Sequence, residues 1–301
     1  MGALKELLEK RKIIILDSAM GTELQRRHVD ISGPLWSAGA NIYKPDVVRH
    51  IHMDNIDAGA DIITTNTFRS QTRTFEKANY HYEGRSFTDS AKAVTTIGVE
   101  IAQDAVLIAG EDDVLIAGCI APIDDCYRPD LVPEDMDVLC TEHFEHIQNL
   151  VDGGIDLFLA ETMMSVREIS AVLNQIHKFD FDYAISLLCK NENELFSGEK
   201  LVDAMSIIEK YSPAAVMLNC IHPAQVELIL PHLKKLTDRP LGVYANIGNP
   251  NAKEGKFERM ISPDEYVTFA KKWRDMGVRI IGGCCGTTPM YTAKLSSLKH
   301  K

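Results

Sequence analysis

Three cysteines at the ends of apolar runs are the residues of this chain best suited to chemistry. Cys284 and Cys285 stand together in Gly282-Gly283-Cys284-Cys285-Gly286, and Cys220 closes an earlier run as Leu218-Asn219-Cys220. Closed structural zinc sites use four protein ligands, whereas catalytic sites use three and keep a position for water or substrate. Three sulfurs with one open position suit the holding of a substrate thiol as a reactive thiolate. Neighbouring side chains on a strand point to opposite faces, so both adjacent cysteines reach one metal only if the backbone bends. Gly282, Gly283 and Gly286 are expected to allow that bend, because glycine tolerates φ > 0. The alternatives are buried structural thiols or a redox pair, the latter disfavoured because a bond between adjacent cysteines is strained.

Two acids come next. Asp17 follows Ile13-Ile14-Ile15-Leu16, and Glu161 follows Leu157-Phe158-Leu159-Ala160. A carboxylate at such a place must be solvated or paired. A substrate ammonium group is one partner; a structural arginine or a helix N-terminus is another. Trp36, in the loop Gly33–Ala38, either packs or faces a cationic group through its ring. Thr65, Asn219 and Asn246, each at or beside the end of an apolar run, are further candidates for substrate binding. His50 with His52, and His143 with His146, read as solvated helix faces, and His222 as a supporting group near Cys220. No GxSxG, Walker or Rossmann fingerprint occurs.

Eight apolar runs position these residues: Ile13–Leu16, Asp61–Thr65, Val114–Gly118, Leu157–Ala160, Tyr183–Leu188, Ala214–Leu218, Leu241–Ala245 and Arg279–Gly282. Most are continuous rather than alternating, as in parallel strands buried on both faces. Amphipathic stretches separate them, including one opened by Pro45 and one opened by Ser262-Pro263-Asp264-Glu265. The pattern predicts an α/β protein, a single (β/α)8 TIM barrel over residues 1–301, with an open doubly wound sheet as the alternative. The irregular piece Ala121–Pro133 is expected to lie over the mouth.

At 301 residues, 45% hydrophobic and 25% charged, the composition is that of a soluble globular protein. The net charge of −11 argues against nucleic acid as a partner, and no apolar run is long enough for a membrane span. Met1–Lys12 lacks an apolar signal core, so a cytoplasmic location is expected. Seven cysteines without small-domain spacing are expected to be reduced, with Cys140 and Cys189 as small hydrophobes. A homo-oligomer is compatible with this pattern.

Taken together, these residues resemble the homocysteine S-methyltransferase family over essentially the whole chain. The resemblance rests on Leu16–Leu24, Pro34–Ala38, Gly59–Asp61, Thr64–Phe68, Ala160–Thr162, Asn219-Cys220 and Gly282–Pro289. It implies a barrel binding Zn2+ through Cys220, Cys284 and Cys285. It implies methylation of homocysteine to methionine, with Asp17 and Glu161 facing the amino group and Trp36 near a cationic methyl donor. S-methylmethionine and betaine are the donor types implied. The chain departs from the family in carrying Ser18-Ala19 where many relatives have Gly-Gly or Gly-Ala, and in its Ala121–Pro129 loop. A non-catalytic zinc- or thiol-binding barrel, methylation of another thiol or a selenol, and an acid/base hydrolase or lyase using Asp17 and Glu161 are the competing readings.

Overall fold

The computed structural model describes residues 2–247, 249–251, 256–258 and 260–299. Eight parallel strands surround one axis: β1 (Ile14–Ile15), β2 (Ile62–Thr64), β3 (Leu115–Ile120), β4 (Leu157–Met163), β5 (Tyr183–Leu187), β6 (Ala215–Asn219), β7 (Leu241–Ala245) and β8 (Val278–Gly283). Hydrogen bonding runs in the order β1-β8-β7-β6-β5-β4-β3-β2. A parallel bridge between Leu16 and Ile62 joins the two ends and closes the barrel. All eight expected strands are present. β3 and β4 run further than the apolar pattern indicates, because Cys119 and Ile120 pair with Leu159 and Ala160, and Met163 pairs with Leu187 beyond a bulge.

The near-continuous apolar runs have a direct structural reason. Alternate residues point to opposite faces of a strand. Ile14, Leu16, Ile62, Ala117, Leu159 and Met217 pack inside the barrel. Their neighbours Ile13, Ile15, Ile63, Ile116, Phe158 and Val216 pack under the outer helices. Helices follow the strands in order, among them Phe87–Ala109, Met136–Gly153, Val166–Ile176 and Pro289–Ser296.

The N-terminal helix Ala3–Lys10 is not part of the ring but inserts Leu4, Leu7 and Leu8 into the inner cluster. Burying each leucine stabilises the fold by roughly 2 kcal/mol. Arg279 holds the end of this helix by donating to the carbonyls of Leu8, Arg11 and Lys12. The barrel is thus stoppered at its N-terminal end, and its C-terminal end carries the site. One element is absent from the sequence reading: a short antiparallel ribbon pairing Asn249–Asn251 with Lys256–Glu258 after β7.

The helix Pro263–Asp275 begins as its sequence indicates. Ser262 and Glu265 form a capping box, and Tyr266, Ala270 and Trp273 are buried. The Tyr266 hydroxyl accepts the Ala245 N–H at 2.9 Å and lies 2.9 Å from the Gly282 carbonyl oxygen. It ties β7 to β8 just below the thiols. Tyr266→Phe removes a buried bond from both strands and is expected to cost about 1–3 kcal/mol. Urea unfolding of the variant checks this; an unchanged midpoint contradicts the bracing role.

Candidate active site

A cavity of about 430 Å³ opens at the C-terminal mouth, and Cys220, Cys284 and Cys285 form part of its wall. Cys284 Sγ lies 3.2 Å from Cys220 Sγ and 4.0 Å from Cys285 Sγ, and Cys220 lies 3.7 Å from Cys285. A tetrahedral ion with Zn–S bonds of about 2.3 Å sets its sulfurs ~3.8 Å apart. The three thiols therefore fit a thiophilic ion with little movement. Two thiols donate to Cys220, which holds its pKa well below the ordinary thiol value despite burial. Bonding to Cys220 in turn pushes Cys284 and Cys285 up.

The local backbone explains how two adjacent cysteines meet the third. Cys220 follows β6 in the left-handed region, at φ 58°. A non-glycine residue there stores strain that its surroundings must hold. The Asn246 side-chain amide does so by donating to the Cys220 carbonyl at 2.9 Å. Of the three glycines expected to bend the other segment, only Gly286 has positive φ, at 85°. Gly282 and Gly283 lie within β8 and serve close approach instead. A Cβ on Gly283 would stand 2.4 Å from Thr287 Oγ1. That hydroxyl donates to the Cys284 carbonyl at 2.7 Å and accepts the Ala19 N–H at 3.2 Å. The Gly286 N–H donates to Thr22 Oγ1 at 2.9 Å, so the cysteine turn is fastened to the first turn of the helix Met20–Arg26 that follows β1.

Asp17 and Glu161 line the same cavity. Thr64 donates to Asp17 through its N–H at 2.8 Å and its hydroxyl at 3.1 Å. Burial pushes the Asp17 carboxyl up to about 8 against those bonds, and the Glu161 charge adds to the rise. Glu161 lies inside β4, where the pairing register with β5 shifts between Ala160 and Met163 and Thr162 has φ 62°. Such a bulge re-aims a side chain. Cys119 Sγ–H donates to Glu161 Oε1 at 2.9 Å and the Tyr244 hydroxyl to Oε2 at 3.2 Å. Burial raises Glu161 to about 7 even so.

Trp36 and Thr65 also line the cavity, Trp36 meeting Phe68 edge-on at 5.5 Å. Asn219 and Asn246 do not line it. Asn219 is fully buried, bonding Thr162 N–H, Thr162 Oγ1 and the Ser186 hydroxyl, so it holds the bulge that aims Glu161. Asn246 secures Cys220, as described above. The helix histidines differ from expectation too. His52, His143 and His146 are buried, with His146 Nε2 3.0 Å from the Cys119 carbonyl and His143 Nε2 3.3 Å from Glu168. Polar residue type misleads here: His143 and His146 each reach one buried partner through Nε2, and His52 is buried without a hydrogen bond to any described residue.

Ser18, the departure from Gly, donates its N–H and its hydroxyl to Asn55 Oδ1 at 3.0 and 2.8 Å. Sequence reasoning missed Cys119, Arg69 and Tyr127 as cavity residues. Tyr127 brings its hydroxyl 3.5 Å from Cys220 Sγ. Its position in the Ala121–Pro133 loop over the mouth was the available signal.

Fold and site together define a barrel enzyme built on a thiol cluster. Residues 14–298 match the family model described as homocysteine S-methyltransferase. Selenocysteine Se-methyltransferase of Brassica oleracea is 28% identical, covering 95% of this chain and 89% of that protein. Homocysteine S-methyltransferase of Escherichia coli is also 28% identical, covering 98% and 97%. The metallated crystal structure of the Escherichia coli homocysteine methyltransferase MmuM superposes with a TM-score of 0.84 at 27% identity, covering 99% of this chain and 100% of that one. The chain belongs to the homocysteine S-methyltransferase family. No helix among the described residues is long and apolar enough to cross a membrane.

Two tests follow from this geometry. An acid whose folded pKa exceeds its unfolded value holds an extra proton in the native state, so stability falls as pH rises between the two values. For Asp17 that window runs from 3.8 to about 8. In thermal unfolding of ligand-free protein, the advantage of Asp17→Asn over the parent should grow from about pH 5 to about pH 8. A pH-independent difference contradicts burial as the cause. Gly283→Ala should displace Thr287 and lower metal affinity by about 10–100-fold, in the range seen for groups that orient ligands. Metal titration checks this, and unaltered affinity refutes it.

Proposed function

We propose that this protein transfers a methyl group from a cationic donor to the thiol of homocysteine, using a zinc ion held by Cys220, Cys284 and Cys285. The observation that carries the reading is the set of three sulfurs 3.2–4.0 Å apart on the wall of a cavity that also holds Asp17 and Glu161. When bound, zinc supplies a Lewis acid that keeps a thiol deprotonated near neutral pH, where a free thiol of pKa ~8.5 is mostly protonated.

The chain's own groups do the rest. Asp17 and Glu161 pair with the amino group of the acceptor, whose positive charge restores their ionised forms. Thr64 fixes one carboxylate, and Cys119 and Tyr244 fix the other. Trp36 and Phe68 offer ring faces to the positively charged donor. The acceptor sulfur gains the methyl carbon. The donor's onium atom keeps the electron pair of the broken bond and leaves neutral, and the thiol proton passes to solvent. Holding both substrates end to end in one cavity is the principal contribution to rate. The likeness to a selenocysteine Se-methyltransferase supports including a selenol among the acceptors assayed.

The test is to load the protein with zinc, supply homocysteine with S-methylmethionine or glycine betaine separately, and quantify methionine. The expected result is one zinc per chain and methionine from at least one donor. Cys220→Ser, Cys284→Ser and Cys285→Ser should each lose zinc and more than about 100-fold of turnover. Turnover that survives complete chelation sinks the proposal and favours acid/base chemistry by Asp17 and Glu161.

A further inference from the structure

Among the described residues, Tyr127 is the only one outside the thiol cluster that donates a hydrogen bond to any of the three sulfurs. Its hydroxyl donates to Cys220 Sγ at 3.5 Å, while the other bonds of the sulfurs run between the cysteines themselves. Those thiol-to-thiol bonds use protons that a metal displaces, because a coordinating thiol is deprotonated outright. The phenol bond to Cys220 needs no such proton and survives metal binding. Cys284 and Cys285 have no counterpart to it among the described residues.

The loop after β3 holds Tyr127 in this position from several sides. The Ile123 N–H donates to the fully buried Glu168 carboxylate at 2.7 Å. Arg69 donates to the Asp124 carbonyl at 2.7 Å, and Lys77 pairs with the Asp124 carboxylate. Asp125 Oδ1 accepts the Tyr127 N–H at 2.9 Å, and Phe196 meets the Tyr127 ring edge-on at 5.5 Å. The hydroxyl is thus fixed by the loop on one side and by Phe196 on the other.

A site that moves a methyl group to sulfur must choose among sulfurs. Cys220, Cys284 and Cys285 lie on the wall of the same cavity that would hold acceptor and donor. A hydrogen bond donated to a thiolate draws charge from the sulfur, and nucleophilicity falls with basicity. We infer that Tyr127 protects Cys220 from methylation by the enzyme's own donor, so that the methyl group passes to the acceptor thiol. The inference rests on the methyl-transfer reading and adds a selectivity residue to it. In the suppressed reaction a bond forms between Cys220 Sγ and the methyl carbon. The bond from that carbon to the onium atom breaks, and the onium atom leaves neutral with the electron pair. The product is an uncharged thioether in place of a thiolate ligand, so each such event disables a site.

The test exposes the zinc-loaded parent and Tyr127→Phe to limiting iodomethane, a methylating agent that needs no donor pocket. Peptide mass spectrometry then compares the methyl carried by Cys220 with that on the peptide holding Cys284 and Cys285. Phenylalanine keeps the ring beside Phe196 and removes only the hydroxyl. The ratio is expected to rise about 10-fold in the variant, the scale of one hydrogen bond to a charged group. During turnover with homocysteine and S-methylmethionine or glycine betaine, the variant should also accumulate methyl on Cys220 and lose zinc in step. Phe196→Leu withdraws the ring that Tyr127 leans on. It should shift the ratio in the same direction, and serves alone if the phenylalanine variant does not fold.

An unchanged ratio in both variants overturns the proposal, and with methionine still formed it leaves the transfer reading intact. Equal gains at all three sulfurs, the sign of an uncovered mouth, overturn it as well. A parent that binds no zinc overturns both. A ratio that rises while no donor yields methionine upholds the protection of Cys220 against methylating agents and removes the transfer reading instead.

Discussion

An excess of negative charge in a confined space governs this molecule. Three thiols and the carboxyls of Asp17, Asp125 and Glu161 share one cavity with a single guanidinium. Burial first, and like charge nearby second, raise Asp17 and Glu161 so that both carboxyls tend to keep their protons. On the proposed function, a divalent ion, an ammonium and an onium would each bring positive charge to a different part of the wall. The ligand-free site is electrostatically unfinished, and its ligands complete it.

Holding such a site together requires backbone that would not choose its conformation unaided. Cys220 and Thr162 both lie at positive φ, and both are held by asparagine side chains. Asn219 and Asn246 thus work on geometry rather than on substrate. Their neighbours Cys220 and Glu161 present the reactive groups, while the amides secure the chain beneath them. Thr22 and Thr287 extend the same arrangement between the first and last loops of the barrel.

Much of this was legible in the sequence. The eight strands could be read because burial on both faces leaves continuous apolar runs. The cysteines and acids could be read because they interrupt or end those runs. Three things were hidden. The bulge in β4 leaves no apolar signature, since it depends on the Asn219 amide reaching across from β6. The roles of Gly282 and Gly283 lie in what stands opposite them, Leu16 and Thr287, and not in their own dihedral angles. The buried histidines of the helix Met136–Gly153 look polar by type, and only their partners on β3 and on the helix Val166–Ile176 explain them. Long-range pairings of this kind are set by the closed ring and cannot be deduced from local spacing.

The placement of the sulfurs also bears on biosynthesis. One ligand follows β6, and the other two follow β8, the strand that bonds to β1 and completes the ring. A growing chain that has emerged only through β7 offers a single thiol of the three, so it holds a thiophilic ion weakly. The three sulfurs come together only after the last strand has docked against the first. On the zinc reading, metal capture would be coupled to the end of translation, and a truncated chain ending before Cys284 would offer one thiol of the three.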